Sequence, residues 1–176
     1  LFLARFSSIK GPDLAIEACK KAGVGLDLVG DTQITQEPDL IRKCQGMADG
    51  HQIKIIGNQS RGECVLWYSQ AHCFIHSAKT FREPFGLAPV EAMACGCPVI
   101  AFDHGALRET IGDGEAGWLI KTQDGLAELI GIVAKPNAID DWRRNRCREW
   151  ASQFSVQNMV ERYAQLCQEA VEGGGW

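Results

Sequence analysis

Short apolar runs alternate with helical patterns along most of this chain, and that alternation limits its possible folds more than any other feature. The runs are L-F-L-A-R-F at 1–6, G-L-D-L-V-G at 25–30, Q-I-K-I-I at 52–56, H-C-F-I-H at 72–76, V-I-A-F at 99–102 and G-W-L-I at 117–120. Between the first two, Gly11-Pro12 opens a helix whose buried stripe is Leu14, Ala15, Ala18, Cys19 and Ala22, and Gly23 ends it. Proline suits the first helical turn, where its missing N–H removes no bond. Further helices are expected over 39–47, 61–70, 86–95 and 106–111, and around Leu126, Leu129, Ile130 and Val133, where Pro136 stops the last. Strands joined through helices at this interval need crossover connections. The predicted class is therefore α/β, a Rossmann-like parallel sheet of about six strands with helices on both faces. Ligands of such sheets lie at the carboxyl ends of the strands, which gathers Arg5, Lys10, the Gly57 loop and the Glu83 loop on one rim.

Two C-terminal helices complete the pattern. Asn137 is expected to cap the first, with Asp140 and Asp141 in its opening turn, and Ser155 to cap the second. The apolar face of the second is Val156, Met159, Val160, Tyr163, Leu166 and Cys167. Residues 172–176 read as a loose tail behind a domain of 1–171. Leu1 is not an initiator methionine and already lies in a strand pattern, so an upstream segment is expected.

The stretch E-P-F-G-L-A-P-V-E-A-M-A-C-G-C-P, from Glu83 to Pro98, carries the most chemistry. Leu87, Val90, Met93 and Ala94 recur at helical spacing, Gly96 suits the left-handed position past a helix end, and Pro98 cannot prolong the helix. The N-terminus of that helix offers backbone N–H groups without intrahelical partners, which favour an anion. Glu91 lies in the second turn and leans back toward that end, beside Glu83. On spacing alone, two readings stay open: an acid pair sharing a volume with an anion cradle, or a solvated loop residue and an exposed helix residue.

The same stretch resembles the Glu-x7-Glu segment of the retaining glycosyltransferases with the GT-B fold, the large family 4 or group 1 class. The remainder, from A-R-F-S-S-I-K-G onward, is similar to the C-terminal, donor-binding domain of that family. The resemblance implies one half of a GT-B fold binding a nucleotide-diphosphate sugar, with a UDP- or GDP-sugar the expected donor, for retaining transfer of a hexose to an acceptor. Arg5 and Lys10 correspond to the family's Gly-Arg and Lys-Gly cations, with Ala4 in place of the glycine, and would face the diphosphate. Arg offers phosphate a planar fork and Lys a compact charge. With Glu83 holding the donor sugar, these three are the implied catalytic residues. Glu91 would take the ribose hydroxyls, Phe85, Gly86 and Leu87 the diphosphate side, and backbone around Gly57 and Asn58 the base. Charge growing on the departing phosphate would be met by Arg5, Lys10 and the N–H groups near Gly86 and Leu87, with no metal and no cofactor. A missing N-terminal domain would supply the acceptor pocket, leaving the isolated chain unable to transfer. The apolar C-terminal helix would then pack on this domain, pair with a second copy as a homodimer, or stand exposed.

Composition narrows the rest. A length of 176 residues fits one domain, and the net charge of −4 argues against a general nucleic-acid or membrane-surface binder. No apolar run reaches transmembrane length. Eight cysteines without a C-x-x-C pair read as reduced thiols in a cytoplasmic setting, the whole enzyme being at most peripheral on the cytoplasmic membrane face. Cys95, Cys97 and His104 lack a further soft ligand for a metal site. Gly112 to Gly117 matches a dinucleotide fingerprint but precedes a strand, which makes it a turn. Asn58-Gln59-Ser60 is read as a chance sequon. The arginines at 143, 144, 146 and 148 read as a solvated face, and His51, His72, His76 and His104 as structural. Two other enzymatic readings compete: a glycoside hydrolase using Glu83 and Glu91 as acid and base, which leaves the rim cations without a purpose, and a GT-B phosphorylase or synthase. A non-catalytic receiver-like module is the third rival, though receivers gather acids where this chain has Arg5.

Overall fold

The computed structural model describes residues 1–33 and 36–173. In chain order its elements are β1 (Phe2–Leu3), α1 (Pro12–Ala22), β2 (Leu26–Val29), α2 (Pro38–Met47), β3 (Ile53–Ile56), α3 (Arg61–Gln70) and β4 (Phe74–His76). They continue with α4 (Leu87–Ala94), β5 (Val99–Phe102), α5 (Leu107–Ile111), β6 (Gly117–Ile120), α6 (Gln123–Val133), α7 (Asp141–Ser152) and α8 (Val156–Gly173).

All pairings between these strands are parallel, in two three-stranded sheets ordered β1-β2-β3 and β4-β5-β6. Leu1 joins them. Its nitrogen donates to Cys73 O at 3.0 Å and its carbonyl accepts from Ile75 N–H at 2.8 Å, the bonding of one rung of a parallel ladder. The resulting order, β3-β2-β1-β4-β5-β6, reverses direction between β1 and β4, and such a reversal opens a crevice at the strands' carboxyl ends. The first run forms less strand than its pattern over 1–6 suggests, because Ala4 turns out against Gly30. A Cβ on Gly30 would stand 1.9 Å from Ala4 O. Close packing at Ala4 is thus met by a glycine of the neighbouring connection.

Side-chain alternation divides the core between the two sheet faces. Phe2, Leu28, Ile75, Ile100 and Phe102 pack with Ile16 of α1 and Leu126 and Ile130 of α6. Phe74, Val99 and Ala101 point the other way, packing with Tyr68 of α3, Met93 of α4, Leu107 and Ile111 of α5 and Cys147 of α7. Burying each large side chain of this kind contributes about 1.5–3 kcal/mol.

Helix ends follow sequence chemistry closely. Ser60 and Glu63 form a reciprocal capping box at α3. Thr122 caps α6, and the Ser155 hydroxyl accepts from Asn158 N–H at the start of α8. Asp140, not Asn137, caps α7 through Arg143 N–H; Asn137 instead takes a left-handed turn with φ 63°. Its short polar side chain tolerates that conformation. The expected tail boundary at 171/172 falls inside α8, which continues to Gly173; the rest of that tail, residues 174–176, lies outside the described residues.

The arginines of α7 are only partly a solvated face: Arg148 is exposed, while Arg143, Arg144 and Arg146 are half-buried. Arg143 donates to the carbonyls of Gly114 and Glu115 and lies 5.0 Å over the Trp118 ring. Arg144 donates to Ala71 O and Gly96 O, both at 3.2 Å, tying together the carboxyl ends of α3 and α4. Arg146 pairs with Glu115, while the Arg148 guanidinium occupies the space a side chain on Gly96 would need. Carbonyls left unpaired at helix ends attract cations, and α7 crosses two such ends. Helix α8 differs from the rest: none of its described residues is buried, and Val156, Met159, Val160 and Tyr163 are exposed. No helix among the described residues is long and apolar enough to cross a membrane.

Candidate functional site

A cleft of about 590 Å³ opens where β1 and β4 end beside the N-terminus of α4. Arg5 and Lys10 line it from the β1 side, and Glu83, Phe85, Gly86, Leu87 and Glu91 from the α4 side. The sequence-predicted rim is therefore assembled for seven of its nine residues. Gly57 and Asn58 are not among the lining residues; they follow β3, at the far edge of the sheet. Arg61, the exposed first residue of α3, is not a lining residue either, although its Nη2 is 3.7 Å from Glu91 Oε1.

Helix α4 begins at Gly86, with φ 92°, a conformation that suits glycine. A Cβ there would also crowd Leu107 at 3.0 Å and Glu83 at 3.4 Å. Val90 N–H makes the first bond of the helix, to Gly86 O; the N–H groups of Gly86, Leu87 and Ala88 have no partner among the described residues and stand available to a ligand, and Pro89 contributes none. Phe85 stands at the rim with its ring edge-on to Phe154 at 5.6 Å.

Glu83 is held more firmly than a loop residue needs to be. Its carbonyl accepts from Ala106 N–H at 2.8 Å, and Gly105, with φ 63°, lets that backbone approach: a Cβ would lie 2.3 Å from Glu83 O. Its carboxylate Oε2 takes Lys10 Nζ at 2.7 Å and His76 Nε2 at 3.2 Å. The hydrogen bond from His76 is the largest influence lowering the Glu83 carboxyl, Lys10 adds to it against partial burial, and the group is held down at about 2. Glu83 is consequently an ionised acceptor at any physiological pH, unsuited to acting as a general acid. The Lys10 charge is already engaged by this carboxylate. Arg5, by contrast, is exposed and makes no ion pair among the described residues.

Sequence reasoning passed over two residues of this cleft and one exposed residue beside it. His76, set aside as structural, is nine-tenths buried at the end of β4 and lines the cleft. The Ser77 hydroxyl donates to Gly11 O at 2.7 Å, seating the Lys10 turn on β4. Arg61 follows the α3 cap and meets Glu91. One signal was available for His76: it ends a strand, where ligands of parallel sheets gather. Cys95, Cys97 and His104 do not assemble, and among the described residues no group of three or more His, Cys, Asp or Glu is arranged to hold a metal ion.

Comparison with known proteins agrees with this architecture. The chain is 31% identical over 168 residues to the D-inositol 3-phosphate glycosyltransferase of Mycolicibacterium smegmatis, covering 91% of this chain and 37% of that protein. It is 29% identical to D-inositol 3-phosphate glycosyltransferase 1 of Catenulispora acidiphila, covering 99% of this chain and 44% of the relative. The chain thus spans less than half the length of these curated relatives. Among solved structures it superposes on sucrose-phosphate synthase from Thermosynechococcus elongatus with a TM-score of 0.79 at 27% identity, covering 98% of this chain and 45% of that one. It superposes equally on the Anabaena protein HepE, solved in complex with UDP, with a TM-score of 0.80 at 25% identity over 96% of this chain and 48% of the other. The family model of glycosyl transferases group 1 matches residues 1–153, which takes in every strand and the whole cleft, and by that match the chain belongs to the glycosyl transferases group 1 family.

Proposed function

We propose that residues 1–171 are the donor-binding domain of a retaining hexosyltransferase, with the cleft between β1 and β4 as the seat of a nucleotide-diphosphate sugar. The observation that carries this reading is the convergence of Arg5, the free N–H groups of α4, Glu83 and Glu91 on one cleft. Arg5 and the α4 N-terminus face the diphosphate and stabilise the charge that grows on the departing phosphate. Glu91 receives the ribose hydroxyls and Glu83 the sugar. Neither a metal nor a cofactor is required for these contacts. The likeness to HepE, solved in complex with UDP, supports a uridine nucleotide as the ligand class. Likeness to a sucrose-phosphate synthase favours a second reading in the same chemistry, a synthase half-domain.

The acceptor pocket and further catalytic groups belong to an N-terminal domain, so the 176-residue chain binds the donor without transferring it. In a half-open site the diphosphate stays in water, where each charge contact is weakened. The exposed face of α8 pairs with that domain or with a second copy, and the setting is cytoplasmic. Titrating UDP, GDP and ADP with their glucose and mannose conjugates into the chain, and assaying transfer with and without a supplied N-terminal domain, tests the proposal. Nucleotide binding lost in Glu91→Ala, with no turnover by the chain alone, is the expected result. Absence of any nucleotide binding refutes the donor reading, and efficient transfer by the chain alone refutes the division of labour.

A further inference from the structure

His76 belongs to the cleft although neither a motif nor the family resemblance marks it. It ends β4 on the same sheet face as Phe74, the face that α4 covers, because side chains alternate along a strand. The ring is only 6% exposed; Nε2 lies 3.2 Å from Glu83 Oε2, and Nδ1 is buried without a partner. A proton on Nδ1 would be a buried donor with nothing to accept it, which is costly, whereas a proton on Nε2 meets a carboxylate. The neighbouring Ser77 holds the other partner, its hydroxyl reaching the carbonyls of Gly11 at 2.7 Å and Lys10 at 3.2 Å. The end of β4 therefore secures both halves of the Lys10–Glu83 pair. With two donors on Oε2, Glu83 Oε1 is the oxygen that has no donor among the described residues.

We propose that His76 is a positioning residue: as its Nε2–H tautomer it fixes the Glu83 carboxylate together with Lys10, so that Oε1 stands ready to accept from a hydroxyl of the sugar in the cleft. A free glutamate loses rotamer freedom when it binds, and here that freedom is already lost before the ligand arrives. The hold on the carboxylate stands on geometry alone. The hydroxyl it serves rests on the donor reading above.

Two measurements test the two parts separately. Imidazole nitrogen NMR on the unliganded chain should show His76 as a single Nε2–H tautomer; an Nδ1–H tautomer, or averaging between the two, overturns the hold on Glu83. Calorimetry with UDP and with UDP-glucose on the wild type, His76→Phe and His76→Gln tests the hydroxyl. UDP affinity should agree within about twofold across the three, since ribose and diphosphate contacts are untouched. The added affinity of UDP-glucose over UDP should fall about tenfold in His76→Phe and survive in His76→Gln, whose amide restores a donor. Equal losses of UDP and UDP-glucose affinity in both variants identify a merely structural residue and overturn the proposal. An unchanged glucosyl increment in His76→Phe, or none in the wild type, does the same. If the wild type binds neither ligand, the donor reading and the hydroxyl role fall together, while the tautomer measurement still decides the hold on Glu83.

Discussion

Lys10 Nζ lies 2.7 Å from Glu83 Oε2 across 73 residues of sequence, and both side chains are largely withdrawn from solvent. The pair fastens the turn before α1 to the loop before α4, the two segments that form opposite sides of the cleft. Replacing Lys10 by Met should destabilise the chain by about 1–3 kcal/mol, because Glu83 keeps its charge and loses its main counter-ion. Urea unfolding of the two proteins measures this directly, and equal midpoints would contradict it.

The pH dependence of the same pair has a definite sign. The Glu83 carboxyl is lowered from 4.5 to about 2 in the fold, so its contribution to stability is complete above about 4.5 and disappears as the pH falls through about 2. Wild type should therefore exceed Glu83→Gln in stability at neutral pH, and the difference should shrink across that window. Denaturation at a series of pH values should show it; a difference that grows on acidification would mean the carboxylate is not stabilised by His76 and Lys10.

Gly105 should be intolerant of substitution. Its positive φ is strained for any L side chain, and a Cβ would collide with the Glu83 backbone at 2.3 Å. Gly105→Ala is expected to cost about 1–3 kcal/mol of stability and, by displacing Glu83, to weaken binding of the nucleotide sugar. Thermal unfolding and UDP-glucose titration on the same preparation check both effects.

Arg5 is exposed at the rim and makes no ion pair among the described residues, so Arg5→Ala should weaken UDP binding by about 1–3 kcal/mol without changing stability. Titration at rising salt provides a second check, since an exposed charge contact is screened.

Removing residues 156–176 should leave the melting temperature of the remaining domain nearly unchanged, because no described residue of α8 is buried. A large fall in differential scanning fluorimetry would show that α8 packs on this domain. Comparing the solution mass of the two forms tests whether its exposed Val156, Met159, Val160 and Tyr163 draw copies together.

Local chemistry was enough to read the order of strands and helices, the limits of α3, and the Gly86 start and Gly96 end of α4. Each of those depends on residues within one or two turns of each other. The rim could be placed as well, because a parallel sheet puts its loops at the carboxyl ends of its strands whatever their sequence. What lay beyond reach came from contacts between distant segments. Nothing near Lys10 announces that Glu83 already holds its charge, and the strand-end position of His76 places it toward the rim without showing that it is aimed at that carboxylate. The arginines of α7 look solvent-bound until the packing of α7 on α4 brings Arg144 to the carbonyls of Ala71 and Gly96. A polar side chain's role depends on which partner the tertiary fold delivers within about 3 Å, and spacing along one chain does not encode that distance.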